Sequence, residues 1–223
     1  MTLRLRGRGL AVPLVVLVLL VGAAFGTAVS SAHPAHSGHA AALTTRGLAF
    51  HDQMRKLWED HITWTRLAIV SFAGGLPDLQ ATEARLLKNQ TDIGNAVKPY
   101  YGRKAGNKLT ALLKQHILGA VDLLQAAKSG DQSAISKASA AWYVNGNQIA
   151  GFLHSANPRN WSTKDMRSMM KIHLDETLKE AQDRLAGNFA ADIRDYDAVH
   201  RHILEMADML SNGIMQQFPA RFR

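Results

Sequence analysis

Apolar residues recur every three to four positions from about residue 46 to residue 218. In one stretch, Leu57, His61, Trp64 and Ala68 fall at i, i+4, i+7 and i+11, which is the spacing of one face of an α-helix. Hardly any segment shows the alternation of apolar and polar residues that is typical of a half-buried β-strand. The pattern therefore predicts an all-α protein.

Glycine and proline divide this helical region into six segments. They stand at Gly74-Gly75, Pro99, Gly130, Pro158 and Gly187, where a helix is expected to end. Six helices of about 20–30 residues each are typical of a helical bundle. The predicted helices span residues 46–74, 78–98, 103–128, 131–155, 163–186 and 189–217.

The first, third and fifth predicted helices share a motif in which a histidine precedes an aliphatic residue and follows a large apolar residue by four positions. The motif contains His61, His116 and His173, at intervals of 55 and 57 residues. The even-numbered helices carry a polar residue before an isoleucine, at Asp92-Ile93, Gln148-Ile149 and His202-Ile203. Such regular spacing predicts a six-helix bundle built from three repeated helical hairpins, at about residues 46–100, 103–156 and 162–218.

The segment Leu57–Leu67, with the sequence Leu-Trp-Glu-Asp-His-Ile-Thr-Trp-Thr-Arg-Leu, is followed later by Tyr100-Tyr101-Gly102. These residues resemble a family of uncharacterised, exported bacterial helical proteins. The resemblance covers most of residues 50–218 and implies a helical fold but no particular activity. No glycine-rich phosphate loop or βαβ pattern accompanies it.

The N-terminal region has the pattern of an export signal. Arg4, Arg6 and Arg8 precede an apolar run over residues 10–29, as in a signal peptide, and about 20 apolar residues also suffice to cross a bilayer. We expect residues 1–30 to be a signal peptide or N-terminal membrane anchor, and residues 31–45 to be a flexible linker. Residues 46–223 would then form a helical domain outside the cytoplasm, secreted or anchored to the outer face of the cytoplasmic membrane.

Cysteine content and net charge exclude several classes of protein. The chain has no cysteine, which excludes a disulfide scaffold, a cysteine-ligated metal site and a thiol enzyme. The formal net charge of +8 falls to +5 without Arg4, Arg6 and Arg8, less than a dedicated nucleic-acid binder carries. We therefore expect no nucleic-acid partner, and contact with a membrane only through the N-terminal segment.

The three repeated histidines are the main candidates for function. His61, His116 and His173 each lie on or beside the apolar face of a helix, so three repeats would bring their rings to similar depth. Three neutral imidazoles at one point form an open tetrahedral site for zinc or copper. Asp92 and His202, on the even-numbered helices, are expected to be additional ligands or hydrogen-bond partners of the ligands.

A second metal-binding segment precedes the helices. His33, His36 and His39 lie within seven residues of the polar linker, and closely spaced imidazoles chelate divalent copper, nickel or zinc.

Two alternatives to a metal-binding protein remain open. Duplication copies a structural histidine as readily as a ligand, so the chain is alternatively a purely structural or partner-binding bundle. His173-x-x-Glu176 and His202-x-x-Glu205 resemble, in reverse order, the paired ligands of di-iron bundles, although matching carboxylates are scarce on the other helices. The sequence favours a non-enzymatic protein that binds copper, zinc or a small ligand, and it indicates no catalytic residue and no oligomeric state.

Overall fold

The computed structural model describes residues 44–223. The predicted signal peptide or anchor, the predicted linker up to residue 43 and the histidines at positions 33, 36 and 39 lie outside the described residues. No strand occurs within residues 44–223, which confirms the all-α prediction. The helices are α1 (Thr45–Gly74), α2 (Leu79–Ser129), α3 (Gln132–Ala156), α4 (Thr163–Leu185) and α5 (Phe189–Gln217), followed by a short 3₁₀ turn, Pro219–Arg221.

The structure has one helix, α2, where the sequence predicts two. Gly102 interrupts α2 with φ 82° and ψ 168°, a backbone conformation that glycine adopts easily and other residues do not. The backbones of Gly94 and Gly106 meet, since a Cβ atom built on Gly94 would lie 2.7 Å from the carbonyl oxygen of Gly106. In a straight helix the two residues would be about 18 Å apart. The chain therefore folds back at Gly102, and α2 consists of arm 1 (residues 79–101) and arm 2 (residues 103–129).

This close approach yields a first prediction. Replacing Gly94→Ala should lower the free energy of unfolding by about 1–3 kcal/mol, because the added methyl group has no room between the two arms. Gly151 is the matched control, because it also lies inside a helix and a Cβ there meets nothing within 4 Å. Gly151→Ala should stabilise the protein by about 0.5–1 kcal/mol through helix propensity. Urea unfolding measures the free energy of unfolding of both variants. Equal changes in Gly94→Ala and Gly151→Ala would contradict the close approach of the two arms.

The helices form a closed bundle. Each helix packs against the next along the chain, and α1 also packs against α5. Ile93, Ile149 and Ile203 are completely or almost completely buried, and full burial of such a side chain contributes roughly 1.5–3 kcal/mol. Among residues 44–223, no helix combines the length and the apolar character needed to cross a bilayer.

The antiparallel course of the chain defines two ends of the bundle. The start of α1, the fold at Gly102, the α3–α4 connection and the C-terminus meet at one of them, which we call the Gly102 end (residues 44–54, 96–109, 154–168 and 212–223). There the Tyr100 ring packs against Phe50 and Phe222, and the Tyr101 hydroxyl donates a hydrogen bond to Gln217 at 2.7 Å.

Candidate functional site

The structure brings the three repeated histidines together in the core. His61 lies on α1, His116 on arm 2 of α2 and His173 on α4, and each is at most 3% exposed. The ring centroid of His173 is 5.7 Å from that of His61 and 5.8 Å from that of His116. His173 therefore stands between the other two rings. We call these three residues the histidine layer.

Burial keeps the histidine layer uncharged. It lowers the pKa of His61 to about 3, with a further contribution from neighbouring His116. It lowers the pKa of His116 to about 4, against a hydrogen bond with Asn145 that raises it. The pKa of His173 falls well below its usual value, first through burial and then through the adjacent histidines. All three rings are thus neutral near pH 7, which is the form that binds a metal ion.

His61 is held by a glutamine. The Nε2 of Gln90, on arm 1, lies 3.1 Å from the Nδ1 of His61 and donates a second hydrogen bond to the Leu86 carbonyl at 2.9 Å. The same Nε2 lies 3.1 Å from the Oδ1 of Asn89, so its two hydrogens are shared among three acceptors. An amide nitrogen can only donate, so Nδ1 of His61 is the acceptor in its contact with Gln90. The neutral ring then carries its proton on Nε2.

His116 has the opposite arrangement. Its Nδ1 lies 3.1 Å from the Oδ1 of Asn145, and the Nδ2 of Asn145 donates to the Leu112 carbonyl at 3.2 Å. The Nδ1–H of His116 is therefore the donor, and Nε2 keeps a free lone pair. Histidines that bind metals have this arrangement, with the second ring nitrogen donating to an oxygen.

His173 is the least satisfied of the three. Its Nδ1 is buried and has no hydrogen-bond partner among the described residues. His202, on α5, lies close enough for its charged form to lower the pKa of His173. The Nε2–H of His202, however, donates to the Met169 carbonyl at 3.0 Å. A buried ring nitrogen without a partner is unfavourable by about 1–3 kcal/mol, and it is also available to a ligand.

The structure does not bring Asp92 to the histidine layer. Its carboxylate accepts hydrogen bonds from Lys88 at 2.7 and 2.9 Å on the outer surface of α2. Asp92 is therefore neither a ligand nor a hydrogen-bond partner of the histidine layer, and His61 is bonded to Gln90 instead. Glu205 of the alternative di-iron pattern is exposed. Within residues 44–223, no group of three or more histidine or carboxylate side chains is positioned to hold a metal ion.

The residues that the sequence analysis missed form a repeat of their own. Asn89 donates to the Leu57 carbonyl at 3.0 Å, and Asn145 donates to the Leu112 carbonyl. Each acceptor lies four residues before a histidine of the layer, and each asparagine lies four residues before a buried isoleucine. The signal Asn-x-x-x-Ile was therefore present in the sequence, but the comparison of repeats used the residue directly before each isoleucine.

Small apolar cavities flank the histidine layer. One, of about 50 Å³, is lined by residues that include Ile69, Leu86 and Ile117. The other, of about 20 Å³, lies between side chains that include Met54 and Val97. An ion in the layer would therefore be surrounded by apolar groups, which limit the access of water and strengthen electrostatic interactions.

A second buried polar cluster lies on α1, α4 and α5. Arg66 contacts Glu180 at 2.9 Å and makes a two-pronged ion pair with Asp192, and both carboxylates are fully buried. Burial raises the pKa of Glu180 to about 7, against the opposing effect of Arg66. Burial would also raise the pKa of Asp192, but hydrogen bonds from Arg66 and Arg184 hold it below its usual value. This cluster joins three helices through charge.

Comparison with known proteins adds no assignment to this geometry. No protein family, no curated protein and no solved structure matches the chain.

Proposed function

We propose that this chain is an extracytoplasmic helical-bundle protein that binds one copper or zinc ion through His61, His116 and His173. The proposal rests on one observation, the gathering of three buried imidazoles of lowered pKa around His173. Three imidazoles on one tetrahedral ion would hold their centroids roughly 5 Å apart, because each bond from zinc to nitrogen is about 2.0–2.1 Å long. The distances of 5.7 and 5.8 Å from His173 to the other two rings are close to that value. Binding would also require His61 and His116 to move towards each other, and His61 to give up its hydrogen bond with Gln90 so that a ring nitrogen can reach the ion.

We also propose that the bundle is made of six helices in three hairpins that descend from one ancestor. The fold at Gly102 supports six helices, since it separates the two arms of α2. The equivalent hydrogen bonds of Asn89 and Asn145 support a common origin of the first two hairpins. In this arrangement each hairpin contributes one histidine to the layer.

The proposed location depends on the N-terminal region. We propose that residues 1–30 direct export, as a cleaved signal peptide or as a retained anchor. The histidines at positions 33, 36 and 39 would then form a second metal-binding segment outside the cytoplasm.

A purely structural role for the histidines is the second candidate. It is favoured by the hydrogen bonds of His61 and His116, each of which is made to a residue of the adjacent helical segment. In that case the rings would hold neighbouring helices together, and none of them would need a metal ion.

Metal titration distinguishes the two functions. Chain purified without a polyhistidine tag is titrated with Zn²⁺ and with Cu²⁺ at pH near 7, and bound metal is counted after desalting. One variant carries His33→Ser, His36→Ser and His39→Ser, and should retain one tightly bound ion per chain. A second variant adds His173→Phe, which is expected to abolish that binding. The protein should still fold, because the Nδ1 of His173 has no hydrogen bond to lose.

The pH dependence provides a control for the two sites. The histidines at positions 33, 36 and 39 should release metal below pH of about 6, where imidazoles of ordinary pKa become charged. The histidine layer should keep its ion at lower pH, because the pKa values of its rings are lowered. Loss of all tight binding in the variant without His33, His36 and His39, or unchanged binding after His173→Phe in that background, would refute the proposed site.

A further inference from the structure

The positive charge of the bundle is concentrated at the Gly102 end. The fold of α2 carries four basic residues and no acidic one over residues 96–109, namely Lys98, Arg103, Lys104 and Lys108. No acidic residue occurs anywhere between Asp92 and Asp122.

The other segments of this end add to the charge. The α3–α4 connection and the two termini of the described chain contribute six more basic residues against two acidic ones, Asp52 and Asp165. The basic residues are Arg46, Arg159, Lys164, Arg167, Arg221 and Arg223. The side chains of the Gly102 end therefore carry a formal charge of +8, whereas the remaining described residues hold 13 basic and 16 acidic side chains.

No acidic side chain neutralises these charges within the described part of the chain. Arg46 donates a hydrogen bond to the backbone oxygen of Arg223 at 3.1 Å, but none of the ten basic residues forms an ion pair with an acidic side chain there. All of them except Lys98 are exposed. The preceding residues 1–43 cannot supply side-chain carboxylates, because the first acidic residue of the sequence is Asp52. Elsewhere in the bundle several lysines are paired, as Lys88 is with Asp92 and Lys179 with Asp183.

We propose that the Gly102 end is a docking surface for anionic lipid headgroups. The chain enters the bundle at this end, at Thr44, and only 14 residues separate it from the apolar run over residues 10–29. Fourteen residues reach at most about 50 Å. An apolar run held in a bilayer would therefore keep the basic end near the headgroups, and clustered Lys and Arg bind anionic lipid surfaces. This inference rests on the proposed retention of residues 1–30 as an anchor, and it extends the expected membrane contact from the N-terminal segment to the bundle. It is independent of the proposed metal site.

Vesicle binding tests the surface. The purified chain is mixed with vesicles of phosphatidylcholine alone, or with roughly one-third phosphatidylglycerol, and sedimented at about 0.1 M and 0.5 M salt. One variant carries Arg103→Gln, Lys104→Gln and Lys108→Gln. The matched control carries Lys137→Gln, Arg194→Gln and Arg201→Gln, which removes three exposed, unpaired charges elsewhere on the described bundle.

At low salt the chain should bind vesicles that contain phosphatidylglycerol at least tenfold more tightly than vesicles of phosphatidylcholine alone. This preference should disappear at high salt. Each basic residue near an anionic surface is worth roughly a fivefold change in affinity, so the Gly102-end variant should lose at least tenfold and the control less than about threefold. Equal binding to both kinds of vesicle, or equal losses in the two variants, would overturn the proposal. Selective binding of a single-stranded oligonucleotide without vesicle binding would overturn it as well, and would indicate nucleic acid as the partner.

Discussion

Acidification from pH of about 7 to about 5 is expected to lower the free energy of unfolding by about 4 kcal/mol. In the unfolded chain, His61, His116 and His173 take up protons near their ordinary pKa of about 6.5. In the folded protein His61 and His116 stay neutral until about pH 4 or below, because burial lowers their pKa values. Burial also lowers the pKa of His173 well below its ordinary value. The unfolded state therefore binds more protons throughout this pH window, and stability decreases as the pH falls.

Glu180 acts in the opposite direction. Its pKa is raised to about 7 in the folded protein, so folding stabilises its protonated form as the pH falls towards the ordinary range of a glutamate. The expected difference is then about two protons rather than three, which corresponds to about 2.7 kcal/mol per pH unit below the pKa of unfolded histidine.

Urea unfolding at a series of pH values measures this loss. The variant His173→Phe removes one of the three histidines and should flatten the slope by about 1.4 kcal/mol per pH unit. Stability that is constant or rises between pH 7 and pH 5 would show that the rings are not kept neutral by the fold.

The second large change in stability is expected when Arg66 is replaced. Arg66→Met should lower the free energy of unfolding by about 3–5 kcal/mol, because it leaves the buried Glu180 and Asp192 without their main counter-charge. Arg55→Met is the matched control. Arg55 pairs with Asp208 at 2.6 Å, but both side chains are more than one-third exposed. Arg55→Met should therefore lower the free energy of unfolding by less than about 1 kcal/mol.

The same urea unfolding measurement at neutral pH separates these outcomes. Adding Asp192→Asn to Arg66→Met should recover part of the loss, since one uncompensated buried charge is removed. Similar small losses in Arg66→Met and Arg55→Met would contradict the account of the buried charge cluster.

The sequence predicted the helical fold because the punctuation between helices is local. Glycine and proline break a helix through their own backbone properties, so the break near Gly102 could be placed from Pro99 and Gly102 alone. Within α2 only Gly102 departs from helical φ and ψ. The two predicted helices therefore meet without a loop between them and form one continuous element.

The close approach of His61, His116 and His173 could also be predicted, because each histidine lies at the equivalent position on the apolar face of its helix. Their hydrogen-bond partners were missed, although Asn145, the partner of His116, stands in the Asn-x-x-x-Ile repeat. Asp92 lies two residues after Gln90, about 200° further round the helix, so a small error in aligning weak repeats selected a residue on the opposite face. The partners of Arg66 lie 114 and 126 residues away, and no local pattern connects residues at such separations.

X-ray absorption spectroscopy of the metal-loaded chain tests the proposed site most directly. The variant without His33, His36 and His39 is loaded with one Zn²⁺ per chain, so that only the histidine layer remains. We expect three imidazole nitrogens at about 2.0–2.1 Å and a fourth, non-protein ligand. Introducing His173→Phe should leave no ion in this environment. A spectrum dominated by oxygen ligands, or one that His173→Phe does not change, would contradict a metal site at His61, His116 and His173.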